Sequence, residues 1–278
     1  MADAADFERR FGGLRRLYGQ LGAQRVFHAH AVVVGIGGVG SWAAEALARS
    51  GVGRLTLVDM DHVAVSNVNR QIHATDATIG QAKVEAMRER VRAIQPGCQV
   101  TLVDDFVSPS NWPDLVAEWA DGPGPLAVID ACDQVPAKTA MADWARRQGA
   151  LLVLSGAAGG KRLGHRVEVG DLADTTHDPL LAQVRYRLRK HHGAPRDKRL
   201  GVTCVFSREP VAPPDASCAV EGSTDGSLNC HGYGSSVAVT ATFGMAAAGW
   251  VMDRLAAGDG FLKKKQPGFK SVKNDAII

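Results

Sequence analysis

Paired cysteines are missing from this chain. Cys98, Cys132, Cys204, Cys218 and Cys230 are scattered with no C-x-x-C among them. That excludes a disulfide framework and a zinc knuckle built on cysteine pairs, and reduced thiols in a reducing compartment follow. A dominant charge is missing too: 32 Lys and Arg against 29 Asp and Glu leave +3. No uniform polyanion-binding surface is expected, and any nucleic-acid contact needs a local patch. The N-terminus, MADAADFERRFGG, has no apolar core and is not a secretory signal, so a cytoplasmic location is expected. A Leu/Ile-rich membrane span is also lacking. Residues 232–252 hold no formal charge over 21 residues, but they are rich in Gly, Ala, Ser and Thr, whereas a span needs about 20 predominantly apolar residues. The expectation is a buried or subunit-interface helix, with membrane association as the alternative.

What remains is an ordinary globular composition, 45% hydrophobic and 22% charged over 278 residues, enough for a sizeable core. Buried-strand patterns fall at Ala31–Ile36, Leu55–Asp59, Gln99–Val103, Leu126–Asp130 and Leu151–Leu154. Helical patterns alternate with them at Gly38–Ser50, Gly80–Ile94, Ser110–Ala120 and Pro136–Gln148. Such alternation means βαβ units. The expected fold is α/β and Rossmann-like, a mostly parallel sheet with helices on both faces and a C-terminal elaboration. In that plan residues 1–30 form a basic arm and helix. Residues 31–257 form the nucleotide-binding domain, with the elaboration at 157–257 containing strands Arg166–Val169 and Val202–Phe206, helix Pro179–His192 and a helix over 234–257. Residues 258–278, with Lys263, Lys264 and Lys265, are expected to be a disordered tail.

Gly35-Ile36-Gly37-Gly38-Val39-Gly40 fits G-x-G-x-x-G between a strand and a helix, and Asp59 follows at the end of the next strand. Glycines let the backbone approach a phosphate, the helix start offers free N–H groups, and the acid accepts from ribose hydroxyls. The motif says nucleotide. It does not separate a nicotinamide dinucleotide from ATP.

The next segment is more selective. Asp59, Asp61, Asn67, Asn69, Arg70 and Gln71 crowd the strand's carboxyl end, Lys83 follows Gly80-Gln81-Ala82, and Asp130 closes the fourth strand in Asp130-Ala-Cys132-Asp133. Cations neutralise a triphosphate and carboxylates hold its magnesium. Each residue alone has a plainer role: Asn67 and Asn69 as turn formers, Arg70 in a surface ion pair, Lys83 as a solvated helix residue, Asp130 and Asp133 as an N-cap pair. Together they describe phosphoryl- or nucleotidyl-transfer machinery.

The runs GIGGVGSW, DMDHVAVSNVNRQ, GQAKVE and DACD resemble the ThiF/MoeB and ubiquitin-activating adenylyltransferase superfamily. RRFGGLRRLYG, NRQIHA, VDDFV, GVTCVFSREP and TATFG narrow the resemblance, over residues 9–257, to the tRNA threonylcarbamoyladenosine dehydratase (TcdA/CsdL) family. The resemblance implies ATP-dependent activation of the carboxylate on threonylcarbamoyladenosine in tRNA, by adenylation, followed by cyclisation with loss of water. It implies that Gly35, Gly37, Gly38 and Gly40 border the phosphates and Asp59 holds the ribose. Asn67, Arg70, Gln71 and Lys83 would engage the triphosphate, with Arg70, Lys83 and Asp130 catalytic, Asp130 binding magnesium and Asp61 in support. The implied cofactors are ATP and magnesium, with room for an alkali cation. The implied partners are tRNA, a second copy of the chain and a sulfur-relay protein, with Cys230 as the reactive-thiol candidate. An arm arginine, Arg10 or Arg16, is expected to reach the partner subunit's nucleotide, although the relatives' R-Y-x-R-Q motif is incomplete here.

Residues 185–200 carry seven positive charges against Asp197. Arg185, Arg187, Arg189 and Lys190 are the candidate tRNA contacts; a solvated face is the plainer reading. Competing functions are an adenylyltransferase for a ubiquitin-like or sulfur-carrier protein, a nicotinamide oxidoreductase, and a nucleotide-binding protein without turnover.

Overall fold

The computed structural model describes residues 4–120, 122–215, 217 and 233–260. Cys230 and residues 263–265 lie outside the described residues.

Two N-terminal helices, α1 (Ala4–Phe11) and α2 (Gly13–Phe27), precede the first strand. The alternating region then runs β1 (His30–Val34), α3 (Gly40–Arg49), β2 (Arg54–Val58), α4 (Lys83–Ile94), β3 (Gln99–Val103), α5 (Trp112–Ala120), β4 (Leu126–Asp130), α6 (Val135–Gln148) and β5 (Leu151–Ser155). After it come β6 (Val167–Asp171), α7 (Pro179–His191), β7 (Thr203–Ser207) and α8 (Val237–Ala257). The expected strands and helices are present; Gln99–Val103 and Leu126–Asp130 keep their expected bounds, and no end of the others shifts by more than three residues.

One seven-stranded sheet results, in the order β3-β2-β1-β4-β5-β7-β6. Every pairing is parallel except β6 with β7. Strands β1, β4 and β5 are buried along their whole length, as expected for parallel strands covered on both faces. Alternate residues feed two cores. Ala31, Val33, Leu55, Leu57, Ile129 and Val153 point to the layer of α1–α4 and α8. Val32, Val34, Val128, Leu152, Leu154 and Phe206 point to the layer of α5–α7.

The small-residue stretch forms α8, and no helix among the described residues is long and apolar enough to cross a membrane. Its Val239, Phe243, Ala247, Val251 and Leu255 are buried, and it lies chiefly on α3 and α2. Small residues allow the approach: a Cβ on Gly244 would come 2.8 Å from Trp42 Cβ. Truncating Phe243 to Ala costs about 3–5 kcal/mol by the usual rule for buried aromatics. The arm is anchored by its phenylalanines, with Phe7 4.9 Å, centroid to centroid, from both Phe11 and Phe27.

The strand order reverses between β1 and β4. Ligands of open α/β sheets bind outside the carboxyl ends of the strands at such a switch point, and the glycine loop after β1 and the Asp130–Gln134 segment after β4 meet there.

Candidate nucleotide-binding active site

A cavity of about 390 Å³ opens at the switch point. Its first wall is the glycine loop, where Gly35, Gly37 and Gly38 line the cavity and Gly40 does not. The glycines act differently. Gly35 takes φ +86°, and a Cβ there would sit 2.8 Å from the Cys132 amide nitrogen, so only glycine fits. Gly37 faces open space, Gly38 lies under Thr240, and a Cβ on Gly40 would collide with the Gly35 carbonyl. Gly40 therefore serves the close packing of helix on strand. No side chain caps α3; the Ser41 amide donates to the Gly37 carbonyl at 3.1 Å, and the remaining amides of the helix start are left to a ligand.

Asp59 ties this loop to the second strand. Its carboxylate accepts from the Ile36 amide at 2.6 Å and the Asp61 amide at 2.9 Å. Burial pushes its pKa up, while Lys83 and the two amides pull it down, and burial wins. Lys83 Nζ lies 2.7 Å from Asp61 Oδ2 and 3.9 Å from Asp59 Oδ1. Lys83 is buried whereas the Asp61 side chain is 59% exposed, so the ammonium stands at the cavity wall with one solvent-facing partner.

Arg70 and Gln71 also line the cavity. The Arg70 guanidinium is held by the Ser66 carbonyl at 2.6 Å and Asn69 Oδ1 at 3.0 Å. Its own carbonyl accepts from Trp42 Nε1 at 3.0 Å and from Thr240 Oγ1 at 3.4 Å. Gln71 Oε1 is buried without a hydrogen-bond partner among the described residues. Asn67 is not brought to the cavity. Its Oδ1 accepts from the Ala64 amide at 3.1 Å and its carbonyl accepts from the amides of Arg70 and Gln71, so it folds the turn that presents them.

Asp130 is not brought to the cavity either. Its carboxylate is fully buried and pairs with the equally buried Lys138 ammonium at 2.9 Å. Burial pulls Lys138 down, yet the adjacent Asp130 outweighs it and holds the ammonium above the ordinary lysine value. Asp130 Oδ1 also accepts from the Cys132 amide at 3.1 Å, so the pair braces the loop from beneath. The carboxylate that does line the cavity on this side is Asp133, beside Gln134. It is exposed and accepts from Gln134 Nε2 at 3.1 Å.

Other lining residues escaped the sequence reading: Asp105, Phe106, Thr240 and the Ser155–Gly159 turn. Asp133 was legible as the second acid of DACD, and the turn as a second glycine-rich run, SGAAGGK. Thr240 comes from a helix about two hundred residues past the first glycine loop; it opens the TATFG motif, but nothing in that motif by itself points to the cavity. The magnesium expectation fits only a metal that arrives with phosphate. No cluster of three or more His, Cys, Asp or Glu among the described residues could hold an ion alone, whereas one or two carboxylates suffice when phosphates complete the shell.

The basic helix α7 splits into two sets. Arg185 donates to the carbonyls of Leu172 and Thr175, and Arg189 to those of Pro195 and Arg196, so both are tied into the fold. Arg187 and Lys190 are exposed, and the Lys190 ammonium lies 5.3 Å from the centre of the exposed Tyr186 ring. In the arm, Arg10 binds Asp6 at 2.7 Å and the Ile94 carbonyl at 3.2 Å within its own chain, while Arg16 is exposed. Neither lines the cavity. Among the described residues Cys98, Cys132 and Cys204 are free.

A doubly wound sheet, a glycine loop at its switch point and cations lining the cavity beside it define a nucleotide-binding member of the ThiF family; the family pattern matches residues 11–275, and the chain belongs to it. Within that family it is similar to the tRNA threonylcarbamoyladenosine dehydratase of Escherichia coli K12, at 46% identity over 90% of this chain and 95% of that one. The Haemophilus influenzae enzyme of the same name is 42% identical over 95% of this chain and 98% of its own. The crystal structure of the E. coli enzyme in complex with ATP superposes with a TM-score of 0.80 at 44% identity, covering 92% of this chain and 98% of that one.

Proposed function

We propose that this protein is an ATP-dependent tRNA threonylcarbamoyladenosine dehydratase, which converts the open modified adenosine in tRNA to its cyclic form. The observation that carries the reading is one cavity that joins a glycine phosphate loop to Asp59, Arg70, Gln71, Lys83 and Asp133, in a chain similar over nearly its whole length to enzymes of that name.

The chemistry follows from the walls. The loop amides and the α3 N-terminus take the phosphates, and Asp59 takes the ribose hydroxyls. Arg70 and Lys83 stand where charge develops as a substrate carboxylate oxygen bonds to the α-phosphorus and pyrophosphate leaves. The carboxylate, otherwise a poor electrophile, is then an acyl-adenylate. A carbamoyl atom of the same side chain bonds to the acyl carbon, its proton is lost and AMP departs; tethering makes this second attack unimolecular. Magnesium, when bound with ATP, supplies charge neutralisation at the phosphates, and Asp133, not the buried Asp130, is the residue to hold it. An alkali cation is not needed for either step. The tRNA backbone is assigned to the face of α7 bearing Arg187, Lys190 and Tyr186. The setting of the reading is a cytoplasmic homodimer.

The test separates this reading from activation of a carrier protein. Pyrophosphate release should depend on tRNA carrying threonylcarbamoyladenosine. Release that responds instead to a ubiquitin-like protein ending in Gly-Gly contradicts the proposal.

A further inference from the structure

The cavity has a second glycine-rich wall. Ser155-Gly156-Ala157-Ala158-Gly159-Gly160-Lys161 leaves the carboxyl end of β5, and its first five residues line the cavity. This turn is clamped from outside. The Ala157 amide donates to Asp178 Oδ2 at 2.9 Å and the Gly160 amide to the Gly234 carbonyl at 3.0 Å. Between these clamps, the amides of Ala158 and Gly159 have no acceptor among the described residues. A cavity wall with two consecutive uncommitted N–H groups suits an anion.

Lys161 closes the turn. It is 2% exposed, and its ammonium donates to the carbonyls of His177 at 2.8 Å, Ser207 at 3.2 Å and Glu209. All three N–H bonds thus go to neutral oxygens, and among the described residues no carboxylate lies within ion-pair distance. The acids that Lys161 feels at longer range are Asp178 and Glu209. Glu209 is occupied by the amides of Arg162 and Leu163. Asp178, buried at the start of α7, accepts from Leu181 and from Ala157, which puts a negative charge directly behind the cavity-lining turn.

We propose that Lys161 is a positioning and specificity residue for the substrate carboxylate: it holds the 156–160 turn in place and balances Asp178, so that the wall offers amides to the carboxylate instead of a net negative charge. The inference rests on the proposed function, since it names the end of the cavity that receives the modified adenosine's acid group.

The experiment measures binding of two tRNAs, one carrying threonylcarbamoyladenosine and the same tRNA without it, to the full chain saturated with a non-hydrolysable ATP analogue. Wild type should prefer the modified tRNA. Lys161→Met should reduce that preference tenfold or more, with affinity for the ATP analogue and for unmodified tRNA held within twofold. Adding Asp178→Asn to it should bring the preference back to within threefold of wild type, because the unbalanced charge is gone, the one remaining oxygen still accepts from the Leu181 amide, and the Gly160 clamp holds the turn although the Ala157 clamp is lost. If Lys161→Met alone yields no folded protein, the double variant decides: a preference within threefold of wild type supports the inference, and a lost one overturns it. A single variant that keeps its preference overturns it too. So does parallel loss of ATP-analogue and unmodified tRNA binding, which marks a purely structural lysine. A wild-type protein without any preference removes the proposed function itself, and this inference with it.

Discussion

Asp130 and Lys138 form an ion pair 2.9 Å long with both side chains fully buried beneath the cavity. Removing one partner strands the other charge in the core, at a cost of about 3–5 kcal/mol. Asp130→Ala and Lys138→Met should each lower the unfolding free energy measured by denaturant titration by that amount. Loss of turnover in Asp130→Ala with unchanged stability would instead place Asp130 in the chemistry.

Asp133 should behave in the opposite way. It is exposed on the cavity wall and has no cationic partner among the described residues, so Asp133→Asn should leave stability within about 0.5 kcal/mol, as for an ordinary surface change. Steady-state kinetics should show a drop in kcat of at least a hundredfold, together with a weaker response to magnesium.

Arg70 and Lys83 both line the cavity, where the proposed reaction develops negative charge. Each replaced by Ala should cost about 10²–10³ in kcat, the usual scale for a lost preorganised donor. Lys83→Ala should also raise KM for ATP, because Asp61 and Asp59 lose the ammonium 2.7 and 3.9 Å away and then repel phosphate. Equal kcat in wild type and both variants contradicts the assignment.

On α7, Arg187→Glu with Lys190→Glu should weaken tRNA binding and reduce the slope of log affinity against log salt by about 2, roughly one per phosphate contact. Arg185→Ala and Arg189→Ala should lower thermal stability instead, since their guanidinium groups hold backbone carbonyls.

Acid sensitivity should trace to two histidines. Burial lowers His30 and His73 to about 4, with Arg54 adding to the effect on His30 and Lys83 and Arg90 on His73. A depressed histidine means that the unfolded chain takes up protons first as pH falls. Stability is therefore full above the ordinary value near 6.5 and declines down to about 4, at up to about 1.4 kcal/mol per pH unit for each histidine. Asp59 and Asp178, both pushed up by burial, oppose this only from the ordinary carboxylate range upward. Melting temperatures should hold between pH 7.5 and 6.5 and then fall towards pH 5, and His73→Gln should flatten the fall.

The sheet and its helices were legible because parallel strands buried on both faces read as unbroken apolar runs, and because α3 and α4 carry a clear helical stripe. The glycine loop and Asp59 were legible because strand, glycines and acid follow one another in sequence. What local pattern could not resolve was which charged group faces inward. Asp130 and Asp133 sit three residues apart, and only the placement of Lys138 on the next helix decides that the first is a buried brace. Asn67 is a similar case: its side chain bonds backwards to Ala64, so a polar run that looks ligand-facing contains its own turn former. Lys161 and Thr240 act through residues distant in sequence, and their roles emerge only from packing.

The central claim is that this cavity activates a carboxylate on tRNA-borne adenosine. Its most direct measurement is mass spectrometry of nucleosides digested from tRNA after incubation with the protein, ATP and magnesium. The account predicts that threonylcarbamoyladenosine becomes lighter by one water, with one AMP formed per conversion and no change when ATP is omitted. An unchanged nucleoside mass in the presence of bound ATP contradicts it.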